Sequence, residues 1–339
     1  MAIKLDKIKF DILKFEFAKE DFNNAKFSKK VELDMVVDSS ADYATNATEY
    51  FRKAMIGEDS TRSKFKQVLG VKDRVKLGTT AFQSLIKSGA STFDPSDSEI
   101  SQKTFEVTPL MVSTSVNISD LETSFVSDQL AKGSNNFNDS FAFMNFFYET
   151  LSAEHQEEME YLTFQGDTDG TFGTPSAYLE TVDGLEKLLE ADADVLTPGA
   201  TAVAITSSNI IAVLKEARNT LPKAVKIKGD FVYMLSTNAF EAYMDAINEN
   251  MASGQYFSES LVPNFQGVEV YHAKGTSSNV VIAGNWSNFV NVQDVISDEV
   301  GYQVVDFYKT KLDRTIGVRT DFKFTPGYLK GDEVYFYKP

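Results

Sequence analysis

Few residues in this chain have types and spacing suited to acid–base or metal chemistry. The sequence has two histidines, His155 and His272, and no cysteine. His155 stands in a glutamate-rich stretch, where Glu154 or Glu158 could lie beside it on a helix. A carboxylate-bridged metal site would need further inward-facing ligands from a second helix, whereas His272 lies far along the chain on a predicted strand. We therefore expect His155 to be a half-buried histidine among solvated helix charges.

Asp167, Asp169 and Gly170 match the first half of a calcium-binding loop. The full loop also requires a third oxygen ligand and a terminal glutamate at fixed spacing. The sequence continues with Thr171-Phe-Gly-Thr174 instead, so the match fails. Because Gly166 directly precedes these residues and glycine is a common helix terminator, the better interpretation is a turn that ends a helix.

Motifs for covalent catalysis and phosphate binding do not occur in the sequence. There is no Gly-x-Ser-x-Gly elbow, and two histidines leave few options for a catalytic triad. No Gly-x-x-x-x-Gly-Lys-Ser/Thr loop is present, and the lack of cysteine excludes disulfides, thiolate metal sites and cysteine nucleophiles. The sequence therefore predicts that the protein is not an enzyme, with no catalytic, cofactor-binding or metal-binding residues and no cofactor.

Charge is distributed unevenly along the 339 residues. The net charge is −16, which argues against generic nucleic-acid binding by the whole chain. Residues 1–30 hold eight lysines against five acidic residues, a net charge of +3 that leaves −19 for the rest. This segment could contact a neighbouring subunit or nucleic acid, or it could be a solvated amphipathic segment. No run of about 20 apolar residues occurs, so we expect no transmembrane helix, and the N-terminus lacks the apolar core of a secretory signal.

The first 118 residues contain little that could form a core of their own. Residues 41–55 have helical apolar spacing, as does the stretch 10–22, and both are expected to pack onto something else. Residues 71–118 predict an extended two-stranded excursion, because β-branched residues alternate in 112–118 and 88–99 is dense in turn formers. An excursion of this length has little to bury within its own subunit.

A long helix is the strongest element that the sequence predicts, over residues 137–164. Apolar or semi-apolar residues recur there at spacings of three and four, which places them on one helix face. They are Phe137, Phe141, Met144, Tyr148, Leu151, His155, Met159 and Leu162. An asparagine at 136 or 138 can cap the start, and a rod of this length is expected to act as a spine.

The second half of the chain alternates helices and strands. Phe231-Val-Tyr-Met-Leu235 predicts a buried strand between a helix that begins near Thr206 and another capped by Ser236 or Thr237. Further strands are predicted at 268–271, 279–283, 289–295, 302–308, 315–324 and 334–337. The 27 phenylalanines and 14 tyrosines suit burial, either in these cores or between chains.

This order of elements resembles the major capsid proteins of tailed bacteriophages, the Hong Kong 97 fold. The resemblance covers about residues 71–339 and rests on the order of motifs that are each weak alone. These are Ser98-Glu-Ile-Ser-Gln-Lys-Thr-Phe-Glu-Val-Thr108 as the returning strand of an extended E-loop, Leu162-Thr-Phe-Gln-Gly-Asp167 as the end of the spine helix, 231–247 as a strand and helix of the axial domain, and 263–270, 284–286 and 307–322 as the return to the peripheral domain.

The resemblance implies an α+β fold with five parts. These are an N-terminal arm over 1–70, an E-loop (an extended β-hairpin) over 71–118, a P domain over 119–197 with the spine helix at 137–164, an A domain over 198–285, and closing strands over 286–339 that return to the P domain. In this family the role is mechanical: hexamers and pentamers tile an icosahedral shell around double-stranded DNA, with E-loops and arms reaching over and under neighbouring subunits.

Partners follow from the same resemblance. The chain is expected to bind copies of itself through the E-loop and N-terminal arm, a portal, and scaffolding or decoration proteins as further candidates. It would enclose packaged double-stranded DNA without sequence-specific contact, would not bind a membrane, and would reside in the virion capsid after assembly in the host cytoplasm. The alternative is an encapsulin-like nanocompartment shell, which encloses cargo and is not viral.

Some relatives join subunits by an isopeptide bond between an E-loop lysine and a P-domain asparagine beside a glutamate. Lys87 and Lys103 lie in the candidate loop, and Asn288 or Asn291 could lie near the P domain. No motif pairs them, so we expect non-covalent contact between subunits.

Overall fold

A computed structural model describes residues 50–51, 53–55, 57, 60–82, 98–117, 140–250, 263–294, 303–306 and 315–339. The predicted helical stretch 10–22, most of the helical stretch 41–55, nearly all of the turn-rich tip 88–99 and Lys87 lie outside these residues. Tyr50, Phe51 and residues 53–55, at the end of the second stretch, are helical as predicted.

Besides the helical residues 50–51 and 53–55, the described residues form twelve strands and five further α-helices, which confirms the predicted α+β class. The strands are β1 (Lys66–Leu69), β2 (Arg74–Phe82), β3 (Ser98–Glu106), β4 (Thr108–Asn117), β5 (Phe231–Leu235), β6 (Asn264–Phe265), β7 (Val268–His272), β8 (Val281–Asn285), β9 (Phe289–Gln293), β10 (Gln303–Asp306), β11 (Thr315–Tyr328) and β12 (Tyr335–Tyr337). The helices are α1 (Ser140–Gln165), α2 (Leu185–Ala191), α3 (Ile210–Thr220), α4 (Lys223–Ile227) and α5 (Thr237–Asn250).

The predicted spine helix is α1, whose 26 residues span about 39 Å. It lies on a five-stranded sheet ordered β1-β9-β11-β10, with β4 also paired to β11. Strand β11 alternates as a half-buried strand should: Val318, Phe322 and Phe324 are buried against the helix, whereas Arg319 and Asp321 are exposed. Among the helices in the described residues, none is both long and apolar enough to cross a lipid bilayer.

A second five-stranded sheet is ordered β12-β8-β5-β7-β6. All five residues of β5 are buried, as predicted, because both faces of this sheet are covered. Phe231, Tyr233 and Leu235 face the cluster that includes helices α3 and α5. Val232 and Met234 face a different cluster, which includes helix α2 and the end of the spine helix.

The excursion predicted over 71–118 is shorter than expected. Its two-stranded ladder joins β2 and β3, from Arg74 opposite Glu106 to Phe82 opposite Ser98. The chain leaves this ladder after Glu106, and the next strand, β4, pairs with β11 in the first sheet. The alternation in β4 therefore has another cause: Leu110 and Val112 pack beneath the spine helix rather than within a hairpin.

The last strand also differs from the predicted return path. Strands β9, β10 and β11 join the first sheet, but β12 pairs with β8 in the second. Its side chains explain this placement, because Tyr335 and Tyr337 pack in the cluster with α3 and α5, and Phe336 packs in the cluster on the opposite face. The domain boundaries themselves stay a prediction.

Backbone segments approach the spine helix so closely that only glycine fits. A Cβ at Gly166 would lie 2.1 Å from the carbonyl oxygen of Val182, and a Cβ at Gly275 would lie 2.4 Å from that of Glu160 on α1. Gly275 also accepts a hydrogen bond of 2.8 Å from the Gln165 side-chain amide. The end of the helix is thereby fixed against the loop that follows β7.

Replacing Gly275 by alanine should therefore lower the free energy of unfolding by about 1–3 kcal/mol, because backbone atoms would have to move apart. Gly229→Ala is the matched control, since a Cβ there meets nothing within 4 Å, and it should change stability by less than about 1 kcal/mol. Chemical denaturation of both purified variants measures the difference. Equal stabilities would contradict the close approach.

Candidate assembly surfaces

His155 is more deeply buried than the sequence predicted. Its side chain is 3% exposed and contacts the rings of Phe51 and Phe322, with centroids 6.0 and 5.4 Å away. Burial, with Arg62 nearby, lowers the pKa of His155 from 6.5 to about 3, so the ring is neutral near pH 7. The helical segment around Phe51, which covers this face of α1, accounts for the difference. His155 is thus part of a core.

The acidic turn after the spine helix holds an ammonium group. Lys187 Nζ lies 2.6 Å from Asp167, 2.6 Å from Asp169 and 2.8 Å from Asp183. These hydrogen bonds raise the pKa of Lys187, and the bond to Lys187 lowers the pKa of Asp167. Within the described part of the chain, no group of three or more histidine, aspartate or glutamate side chains is arranged so that it could hold a metal ion. The rejection of a calcium loop agrees with this arrangement.

The β2–β3 hairpin exposes most of its surface. One face of the ladder is exposed wherever its side chains are described, and it includes Ile100 at 68% exposure. The exposed residues of the two strands are Arg74, Lys76, Gly78, Ile100, Ser101, Gln102, Thr104 and Glu106. On the opposite face, among the side chains that the structure describes, only Phe105 at the base is buried. A two-stranded ribbon of this kind is marginally stable alone, so its shape depends on its anchors.

Aromatic and charged contacts anchor the base of the hairpin. Phe105 packs with Val290 of β9 and lies so close to Gly327 that a Cβ there would be 2.4 Å from its ring. Lys103 Nζ lies 3.5 Å from the centroid of the Tyr328 ring and 3.8 Å from Asp192. The Tyr328 hydroxyl donates a 2.6 Å hydrogen bond to the same carboxylate. Strand β3 is therefore fixed to β11 and to the end of α2.

A fully buried arginine fixes the chain that enters the fold. The Arg62 guanidinium donates hydrogen bonds to the carbonyls of Ala54 (2.7 Å) and Met55 (3.2 Å) and lies 3.8 Å from Glu160 on α1. Burial lowers the pKa of Arg62 to about 10, although Glu160 opposes the shift. Glu160 also accepts a 3.1 Å hydrogen bond from the backbone amide of Thr61. Sequence reasoning missed this residue, since an isolated arginine carries no periodic signal.

The asparagines considered for an isopeptide bond are buried within the subunit. Asn288 exchanges two hydrogen bonds with the backbone of Lys330, of 2.8 and 2.9 Å. The Asn291 amide donates to the carbonyl of Arg62 at 3.3 Å. Lys103 is engaged with Tyr328, and Lys87 lies outside the described residues. Non-covalent contact between subunits stays the prediction.

No protein-family profile matches the sequence, and no curated protein matches it. Solved structures do match. A chain from the satellite phage P4 procapsid that includes the size determination (Sid) protein has a TM-score of 0.59 at 9% identity, covering 85% of this chain and 98% of that one. Gordonia phage Cozz gives a TM-score of 0.47 at 13% identity (81% and 84% covered), and a virus-like particle from Pyrococcus furiosus gives 0.47 at 9% (86% and 96%).

The likeness to the procapsid chain extends over nearly all of that chain and shows the fold. It confirms the Hong Kong 97-like α+β architecture that the sequence predicted.

Arg62→Met should lower the free energy of unfolding by about 3–5 kcal/mol, because Glu160 would remain buried without its partner. The double variant Arg62→Met with Glu160→Gln should regain about 2 kcal/mol or more, since the amide keeps the acceptor for Thr61 without a buried charge. Urea denaturation of the wild type, the single variant and the double variant measures both differences in the free energy of unfolding. A decrease of less than about 1 kcal/mol in the free energy of unfolding of the single variant would show that Arg62 does not hold residues 54–55 to the spine helix.

Lys103→Gln should loosen the hairpin without unfolding the subunit. Losing a cation–π contact of about 0.5–1 kcal/mol predicts two- to five-fold faster hydrogen exchange, roughly, at the β2 and β3 amides. Lys76→Gln, on the exposed face of β2, is the control and should leave exchange unchanged. Unchanged exchange in Lys103→Gln would mean that Phe105 alone anchors the hairpin.

Proposed function

We propose that this chain is the major capsid protein of a tailed phage. Copies would assemble as hexamers and pentamers into an icosahedral shell that encloses double-stranded DNA. The observation that carries the proposal is the β2–β3 hairpin, which Phe105 and Lys103 anchor to the body of the subunit and which keeps one face exposed wherever its side chains are described. A second subunit beneath or above the hairpin would supply the burial that a two-stranded ribbon needs.

The parts of the subunit are assigned to residue ranges as the sequence predicted. We propose that 1–70 forms the arm, that the E-loop lies within 71–118, and that 198–285 is the A domain. The ranges 119–197 and 286–339 contribute to the P domain, except for β12, which joins the sheet of the A domain. The described end of the arm supports this, because Phe51 and Met55 pack against α1 and Arg62 lies 3.8 Å from Glu160 on the same helix. The arm and the hairpin would then be the two main contacts with neighbouring copies.

The partners of the shell are proposed on chemical grounds. A net charge of −16 disfavours tight adhesion to phosphates, which suits a wall that holds DNA without sequence-specific contact. A portal would be needed for DNA entry, and scaffolding or decoration proteins are further candidates. The role requires no catalysis, cofactor or membrane, and the protein would assemble in the host cytoplasm and remain in the virion.

Electron microscopy of the purified protein tests the proposal directly. Closed icosahedral shells or rings of six subunits are expected, and a strict monomer at every concentration would contradict it. DNA content of native particles then separates the two kinds of shell, because a phage capsid encloses a genome and a cellular nanocompartment encloses protein cargo.

Ile100→Asp should reduce shell yield while leaving the unfolding of the isolated subunit unchanged, since this side chain lies on the exposed face of the hairpin.

A further inference from the structure

A loop at the end of the spine helix presents an uncharged surface that the role of the hairpin and arm does not explain. Its tip, residues 170–177, reads Gly-Thr-Phe-Gly-Thr-Pro-Ser-Ala. Every residue from Thr171 to Pro175 is exposed, and so is Ala177. Phe172 keeps 41% of its surface exposed at the centre of this tip. An exposed aromatic flanked by small uncharged residues has the composition of an interface centre.

The base of the loop is held rigidly. The backbone amide of Asp167 donates a 2.8 Å hydrogen bond to the carbonyl of Leu179, which joins the two ends of the loop. Thr168 donates to Asp183 from its amide and its hydroxyl, at 2.9 and 2.7 Å. Lys187 binds Asp167, Asp169 and Asp183 together. These three carboxylates and one ammonium group leave a net charge of −2 at the base, whereas the tip itself carries no charged side chain.

Phe172 is held in place by contacts of its own. Its backbone amide donates a 2.7 Å hydrogen bond to Glu180, and its ring lies so close to Gly170 that a Cβ there would be 2.5 Å from Cε2. The backbone of Phe172 is thus tied to Glu180, and its ring rests against Gly170 with part of its surface free for a partner. Preorganised aromatic anchors lose little conformational entropy on binding and often dominate interface energies.

The charge of the chain identifies the partner that this tip fits. Copies with a net charge of −16 repel each other, so contacts between them are opposed least where the exposed surface carries no charge. A nucleic-acid partner would instead require lysine or arginine at the tip, and residues 170–177 contain neither.

We propose that the tip formed by residues 170–177 binds a second copy of this chain, with Phe172 as the anchor. This contact is separate from those of the hairpin and the arm, and it rests on the proposed function as a self-assembling shell. Its location at the end of α1 would couple the spine helix of one subunit to its neighbour.

Assembly of Phe172→Ser tests the contact against a matched control. The variant should raise the protein concentration needed for shell formation about tenfold or more, as expected for loss of an interface anchor. The unfolding midpoint of the isolated subunit should stay the same. Ile227→Ser removes a side chain that is 71% exposed on helix α4, a surface outside the proposed contact, and should assemble like the wild type.

Photo-crosslinking identifies what the tip touches. A photoreactive phenylalanine analogue at position 172 should give, in assembled particles, a product of twice the subunit mass, with the partner peptide assigned by mass spectrometry. A crosslink only to another protein, or none at all, would overturn the contact. Assembly of Phe172→Ser at the same protein concentration as the wild type would also overturn the contact. Shells formed by the wild type in that experiment would still support the proposed function. Wild-type chains that stay monomeric throughout would contradict both.

Discussion

The guanidinium of Arg62 is the interaction on which the rest of the subunit depends. It joins the last turn of the arm, through the carbonyls of Ala54 and Met55, to the spine helix at Glu160. The backbone carbonyl of Arg62 accepts hydrogen bonds from the side-chain amides of Gln67 and Asn291, which both lie in the first sheet. Arm, helix and sheet therefore meet at one buried residue. Because a buried charge tolerates few alternative arrangements, this junction fixes the angle at which the chain enters the fold.

Periodicity made much of this fold predictable. The spine helix follows from apolar residues three and four apart, and β5 follows from an apolar run between two capped helices, since both signals are local. The limits of the hairpin could not be read in the same way. An alternating strand such as β4 shows that one face is buried, but it does not say which strand lies beside it. The pairing of β12 with β8 is invisible in sequence for the same reason.

The exposed hairpin was predictable from the sequence, but the residues that hold it in place were not. The sequence indicates an excursion with little to bury, and the ladder of β2 with β3 agrees. The residues that anchor it could not be found, because Lys103 and Tyr328 are 225 positions apart and each looks ordinary in its own segment. The ammonium group of Lys187 that lies in the acidic turn also could not be found, because it comes from α2, about 20 residues beyond Asp167. Residues that act across long separations leave no local pattern.

The junction between β3 and β4 has a mechanical consequence. The two strands follow one another with only Val107 between them, so tension applied to the hairpin passes along the backbone into β4. Strand β4 is matched to β11 through ten consecutive residue pairs, from Thr108 to Asn117. A pull along the strand loads these hydrogen bonds in shear, and they must yield together rather than one by one. The β4–β11 ladder therefore opposes extraction of the hairpin along the strand direction.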